Sequence, residues 1–251
     1  MAVCCVVFGL LITAWAVTGG IPGRSNEPPE RKSKLYRGLT VEPIYSQSYI
    51  EENPSTYTFP AVLQGDIVKH DFILTNKTSQ PLELQKVKSC CGSFIENYSR
   101  KIPPGQEGRI TVMMLTDRFG GRAIQGTLQA MTNDPERPEV QVQIFLPVIE
   151  FVKIDPLKII LKGSFRDELS GTSSIEPAND YPFTITGIKL RKGIDIHCRY
   201  KAIVADNKKK YLVTAINKRT KKGIYRDVMY VQTDNPARPE FKIRVEGYIE
   251  E

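Results

Sequence analysis

The chain has 251 residues, enough for one large domain or two of ordinary size, and 41% of them are hydrophobic, which predicts a packed core. The net charge of +7 arises after residue 150, because residues 1–150 hold 15 basic and 15 acidic side chains and residues 151–251 hold 20 and 13. Only Cys90, Cys91 and Cys198 follow the N-terminal apolar run, so a framework of several disulfides is excluded.

The first 23 residues contain no charged side chain and indicate a signal peptide or a membrane anchor. Residues 3–12 have the length of a signal-peptide apolar core, and Ala14-Trp15-Ala16 is a cleavage pattern of small residues. An uncleaved membrane anchor is the alternative interpretation, although the apolar stretch 3–17 is shorter than the roughly 20 residues that span a bilayer. Both alternatives place the rest of the chain outside the cytoplasm. The charged residues 24–40 predict a flexible linker.

The sequence then repeats itself at a fixed offset. Residues 132–139, TNDPERPE, return at 233–240 as TDNPARPE, an offset of 101 residues, and a match between residues 81 and 182 has the same offset. A period near 100 residues fits one immunoglobulin-sized sandwich. We therefore predict an all-β protein with two tandem immunoglobulin-like β-sandwiches, residues 41–150 and 151–251, after the N-terminal signal or anchor.

Each copy contains short apolar segments separated by turn signals, and no convincing amphipathic helix. A bulge is expected after Leu84, where the inward-facing positions change phase. We expect a protease-accessible linker near residues 152–157, around Pro156. The two Asx-Pro turns offer two or three oxygens each where Ca²⁺ needs about six, so they predict hairpin caps. The predicted strands are 68–74, 81–87, 108–115, 123–131 and 139–148 in the first copy, and 183–190, 199–205, 211–216, 224–232 and 240–249 in the second.

A series of short motifs runs through the first copy: Phe59, Gly65-Asp66, His70-Asp71-Phe72, Thr75-Asn76, Pro81-Leu82, Val87-Lys88-Ser89-Cys90, Ile102-x-Pro104-Gly105-x-x-Gly108 and Thr132-Asn133-Asp134-Pro135. In order and spacing they resemble a bacterial family of exported immunoglobulin-like domains, known as domain of unknown function 1573. The second copy looks like the divergent partner domain that often follows. The family is similar to PapD-type, major-sperm-protein and ASH sandwiches, mostly adhesion, scaffolding or chaperone modules. The resemblance therefore implies binding and not catalysis.

The cysteine pair departs from the family pattern. Relatives typically show Ser-Cys-Gly-Cys, whereas this chain has Ser89-Cys90-Cys91-Gly92. Adjacent cysteines on an extended strand point to opposite faces and do not chelate one metal as Cys-x-x-Cys does. We expect one cysteine in the core and the other near the surface. A redox or metal-handling role of Cys90 and Cys91 stays open as the alternative function.

The remaining patterns argue against catalysis. The two histidines, His70 and His197, lie in different copies and lack the spacing of a zinc site, so each is expected to be structural or exposed. No nucleophile elbow, zinc-protease motif or phosphate loop occurs. We predict no enzymatic activity, no cofactor and no bound metal.

Seven basic residues flank the predicted strand 211–216: Lys208, Lys209, Lys210, Lys218, Arg219, Lys221 and Lys222. The two groups lie about 20 Å apart along the strand and do not form one groove. Because no aromatic residues interleave with them, nucleic-acid binding is disfavoured, and contact with an anionic membrane or polysaccharide surface stays open. The sequence thus predicts an extracytoplasmic binding or scaffolding protein, periplasmic or at the cell surface. It would recognise a protein or glycan partner through end loops or an exposed edge strand.

Overall fold

The computed structural model of the chain describes residues 42–205 and 208–251. The predicted signal or anchor, 1–23, and the linker, 24–40, lie outside these residues. The described residues form strands and turns without a helix, and none of their segments is a helix long and apolar enough to cross a membrane. The strands are β1 (Ile44–Tyr49), β2 (Ser55–Thr58), β3 (Val62–Leu63), β4 (Ile67–Thr75), β5 (Leu82–Ser89), β6 (Ser93–Tyr98), β7 (Lys101–Ile102), β8 (Glu107–Leu115), β9 (Ala123–Thr132), β10 (Glu139–Ile149), β11 (Val152–Asp155), β12 (Lys158–Ser164), β13 (Ser170–Pro177), β14 (Ile185–Leu190), β15 (Ile196–Ala205), β16 (Lys208–Asn217), β17 (Gly223–Thr233) and β18 (Glu240–Glu250).

The strands build two sandwiches with the same strand order. In the first, a sheet β1-β4-β8-β6 faces a sheet β2-β10-β9-β5-β7, and β3 adds to β10. In the second, β11-β13-β16-β15 faces β12-β18-β17-β14. Alternate residues of the long strands are buried, and they form one apolar core between the sheets of each sandwich. The predicted fold class, two tandem immunoglobulin-like β-sandwiches, is confirmed.

The 101-residue repeat is visible in the backbone as well as in the sequence. The predicted bulge is present in β5, where the pairing with β9 shifts register between Leu84 and Lys86. A second bulge shifts the pairing of β14 with β17 between Ile185 and Gly187, at the same offset. The side chains of Leu84 and Ile185, which precede the two bulges, are both buried. The two copies therefore share local irregularities as well as strand order.

The first strand of each copy is divided between the two sheets. β1 pairs with β4 and β2 with β10; in the second copy β11 pairs with β13 and β12 with β18. The Asn53-Pro54 and Asp155-Pro156 peptide bonds, which lie between the halves, are cis. The copies differ here because β1 runs parallel to β4, whereas β11 runs antiparallel to β13.

The junction between the sandwiches corrects one expectation. Residues 152–155 are not an open linker, because they form β11, and the side chains of Phe151 and Val152 are 0% and 3% exposed, whereas Pro156 and Leu157 are exposed in the turn that follows. The Gln64 side-chain oxygen accepts the N–H groups of both residues at 3.1 and 3.0 Å. Arg238 of the second sandwich pairs with Asp66 of the first. Since both sandwiches contribute to these contacts, they form one compact unit.

Candidate functional sites

Cys90 and Cys91 lie in the turn between β5 and β6, and both are exposed with free thiols. The expectation that one of them packs in the core is wrong, because the chain turns at Cys91 (φ 63°) and is not extended there. A hydrogen bond with Cys90 raises the pKa of the Cys91 thiol. Among the described residues no group of three metal-ligating side chains forms around them. The turn therefore offers two accessible thiols without an activating partner.

His70 is buried on β4 and does not meet the cysteines. Its Nδ1 lies 2.7 Å from Ser46 Oγ and its Nε2 lies 2.8 Å from Ser48 Oγ, so both ring nitrogens are engaged by β1. Burial lowers the pKa of His70 to about 4, against an opposing effect of the neighbouring Asp71. Three aromatic rings surround the imidazole at centroid distances of 4.4–4.9 Å: Tyr57, Phe59 and Phe72. His70 is therefore a neutral structural residue at neutral pH, and His197 lies exposed on β15.

The basic residues form two separate groups at opposite ends of β16. At one end, Lys208 and Lys210 both pair with Glu176, at 3.4 and 3.2 Å. Lys209 donates to Thr184 Oγ1 at 3.2 Å. At the other end, Lys218, Lys221 and Lys222 are exposed, while Arg219 pairs with Asp195 at 3.1 Å. Because the groups are divided and partly paired, they do not form one continuous basic surface.

Strand β15 is the longest edge strand of the second sandwich. It is the last strand of its sheet and pairs on one side only, with β16. It has 10 residues, whereas its counterpart in the first sandwich, β6, has six. Edge strands are usually short or covered, because an open edge presents unpaired N–H and C=O groups to other chains. A long one-sided strand can therefore accept a further strand.

The two sides of β15 differ in chemistry. Ile196 is buried and the partly buried Cys198 packs on the core, so the even-numbered residues face the opposite sheet. The Tyr200 hydroxyl donates to the carbonyl of Ile185 on β14 at 3.3 Å. Beyond this contact the even-numbered side is open, and Val204 is 78% exposed. The opposite side carries three exposed basic or titratable residues: His197, Arg199 and Lys201.

Comparison with known protein families gives a match within the first sandwich. Residues 50–144 match the model of a family described as a protein of unknown function, DUF1573. The resemblance seen in the short motifs is thereby confirmed. No curated protein sequence matches the chain.

The DUF1573 motifs of this chain lie in turns and in the core. Asp66 accepts the N–H of Leu63 at 2.9 Å and pairs with Arg238. The Asn76 side chain is fully buried and donates to two backbone carbonyls at 2.8 and 2.9 Å. Asn133 accepts the N–H of Glu83 at 2.8 Å. The motifs therefore fix the fold, and the open strand β15 lies outside the residues that match DUF1573.

Solved structures similar to this chain agree with it only distantly. A protein of unknown function from Porphyromonas gingivalis W83 is 11% identical, covers 76% of this chain and 96% of its own, and has a TM-score of 0.33. The secreted serine protease VesC from Vibrio cholerae is 10% identical over 63% of this chain and 48% of its own, with a TM-score of 0.30. The ectodomain of the teleost fish polymeric Ig receptor is 12% identical, covers 79% of this chain and 97% of its own, and has a TM-score of 0.24.

Proposed function

We propose that this protein is an exported, non-enzymatic binding or scaffolding module that recruits a protein partner outside the cytoplasm. The observation that carries the proposal is strand β15, a 10-residue edge that pairs on one side only. Main-chain hydrogen bonds along such an edge supply affinity to an added strand, and side chains on alternate positions supply specificity. Export rests on the uncharged residues 1–23 and their cleavage pattern.

The joined sandwiches suit a scaffold. Gln64 and the Arg238–Asp66 pair tie the second sandwich to the first, so a partner bound at β15 is held at a defined position relative to the first sandwich. Rigid elements present a binding edge with less loss of conformational entropy than a flexible chain does. Glycan recognition and contact with an anionic surface through the lysine groups are alternative forms of the same binding role.

A redox or metal-handling role is the second candidate. It is favoured by one observation, the exposure of both adjacent thiols on the turn between β5 and β6. The raised pKa of Cys91 counts against it, because thiolates and not thiols attack disulfides and bind metals.

The test of the binding role is capture of a partner in the native envelope. The full chain with a photoreactive side chain at Ile203, on β15, is expected to crosslink one partner in stoichiometric amount. The same photoreactive side chain at Ile224, exposed on β17 of the other sheet, serves as the matched control. No stoichiometric adduct from any exposed position of the chain is the result that contradicts a binding function.

A further inference from the structure

We infer that β15 binds an extended segment of a partner protein in which acidic and apolar side chains alternate, added to the sheet as a fifth strand. The inference rests on the proposed function and specifies the chemistry of the partner. It follows from three features of β15: its unpaired side, the charge of its odd-numbered residues and the open apolar surface of its even-numbered residues.

The odd-numbered side selects for acidic residues. Arg199 and Lys201 are exposed neighbours on the same face of the sheet. Within the described residues neither forms an ion pair, in contrast to Lys208 and Lys210, which share Glu176. Opposite charges on neighbouring strands stabilise pairing and like charges weaken it. An added strand that carries Glu or Asp beside Arg199 and Lys201 is therefore favoured over a neutral or basic one.

The even-numbered side selects for apolar residues. Tyr200, Ala202 and Val204 follow one another along this face, and all three are exposed. Tyr200 reaches β14 through Ile185, but Ala202 and Val204 extend past that contact, and Val204 is 78% exposed. Apolar side chains of an added strand bury this surface at about 25 cal/mol per Å². Since strand residues alternate between faces, the two preferences together require the alternation of acidic and apolar residues.

A second copy of this chain is a poorer occupant. If two β15 strands paired antiparallel about Tyr200, Arg199 of one copy would lie opposite Lys201 of the other. Registers centred on Arg199 or on Lys201 place the same basic side chain opposite itself. Because like charges directly opposite each other destabilise a pair of strands, the basic face excludes these forms of self-pairing.

Basic residues on an edge also occur where a protein merely prevents aggregation. Basic residues with that role repel other sheets without regard to sequence. They would not distinguish between acidic segments that have the same composition but a different order of residues. Recognition of an alternating segment predicts a preference for one order, which separates the two roles experimentally.

The first measurement compares labelled peptides as long as β15 by fluorescence anisotropy with the full chain. A peptide of alternating Glu and Val is expected to bind at least about tenfold more tightly than one of alternating Lys and Val. The alternating Glu/Val peptide is also expected to bind more tightly than a peptide of the same composition with Glu and Val in separate blocks. It is expected to bind more tightly than an alternating peptide with a central proline as well. Equal binding of the alternating and block peptides overturns the inference.

The second measurement reverses the charge of the edge. The double variant Arg199→Glu/Lys201→Glu is expected to bind the Glu/Val peptide more weakly and the Lys/Val peptide more tightly than the unaltered chain does. Partial unfolding does not produce such a reversal. The matched control is Lys221→Glu/Lys222→Glu, which makes the same change of charge in the turn between β16 and β17, outside β15, and is expected to stay within about twofold of the unaltered chain. If both variants bind the Glu/Val peptide more weakly, the overall charge of the protein attracts the peptide, and the inference is overturned.

The crosslinking experiment separates this inference from the binding role. If the chain captures a partner and the Arg199→Glu/Lys201→Glu variant captures it equally, the binding role stands and the assignment to β15 is wrong. If sedimentation shows a dimer that this variant abolishes, the occupant of the edge is a second copy and the inference is overturned.

Discussion

At the scale of single residues, His70 links the stability of the first sandwich to pH. Burial lowers its pKa from 6.5 to about 4, so between these values the unfolded chain takes up a proton that the folded protein does not. The free energy of unfolding is therefore expected to fall as the pH drops from 6.5 to 4, by at most about 3 kcal/mol from this residue. Stability from this source is fully present above pH 6.5.

Urea unfolding at a series of pH values checks this dependence. His70→Gln is expected to flatten the decline between pH 6.5 and 4, whatever its own cost in packing. His197→Gln, the same substitution at the other, exposed histidine, is expected to retain it. An NMR titration of the His70 ring that gave a midpoint near 6.5 would contradict the prediction without any variant.

Cys90 and Cys91 allow a direct test of the redox alternative. Both thiols are exposed, so both are expected to react with a disulfide reagent in the folded chain. Cys198 is expected to react mainly after unfolding, because it is partly buried and burial raises its pKa. Cys90→Ser/Cys91→Ser identifies the signal of the pair against the other cysteines. Reaction faster than that of a simple thiol at pH 7, or retention of one metal per chain, would favour the redox or metal role instead.

At the scale of elements, the Asx-Pro turns tie each β9–β10 or β17–β18 hairpin to the start of a neighbouring strand. Asn133 accepts from Glu83 N–H and donates to the carbonyl of Pro81; Asp234 accepts from Thr184 N–H at 2.6 Å. Asn133→Ala is expected to cost about 1–2 kcal/mol of stability through the two lost hydrogen bonds.

Thermal unfolding measures this loss, and the exposed Asn179→Ala provides a control that is expected to change stability by less than about 0.5 kcal/mol. Added Ca²⁺ is expected to leave the melting temperature of the unaltered chain unchanged. A rise with Ca²⁺ that Asn133→Ala abolishes would show that the turn is a cation site after all.

The strands differ in how far the sequence could predict them. Each of the ten predicted strands is present. Apolar and polar residues alternate along most of them, whereas β4 and β8 are largely buried runs. β13 was missed because five of its eight residues are Ser, Gly or Thr, so only Ile175 and the close packing of small side chains mark it as part of the core. β1 was missed because serines, Ser46 and Ser48, occupy its inward positions and bond to His70. Because the inward-facing side chains of β1 are polar, its sequence shows no alternation of apolar and polar residues.

The open edge of β15 shows the corresponding limit for the site. The sequence predicts this strand from residue 199 onward. Its position at an edge depends on the order of strands in the sheet, and the alternation of residues along one strand does not reveal that order. The 78% exposure of Val204 is likewise a property of the folded sheets that alternation along β15 does not predict. The cysteine turn was misjudged for a related reason, since the positive φ of Cys91 reverses the chain where an extended strand was assumed.

At the scale of the whole molecule, the junction makes the two sandwiches one body, and proteolysis tests how firmly. The unaltered chain is expected to resist cleavage at residues 151–155, because Phe151 and Val152 are buried and β11 pairs with β13. Arg238→Ala removes a nearly buried partner of Asp66, whose carboxylate then stays at the junction without its cation. We expect a loss of about 2 kcal/mol at the junction, which raises the population of the open form roughly 30-fold.

Cleavage at residues 151–155 followed by mass spectrometry gives the readout, with two fragments of sandwich size as the product. Arg244→Ala serves as the matched control, because Arg244 pairs with Asp117 between the same two sandwiches at 3.1 Å but both side chains are more exposed, 46% and 37%. An exposed pair contributes at most about 1 kcal/mol, so this variant is expected to be cleaved nearly as slowly as the unaltered chain. Rapid cleavage of the unaltered chain would mean that the sandwiches move independently. A partner bound at β15 would then have no fixed position relative to the first sandwich, and the scaffolding role would lose its structural basis.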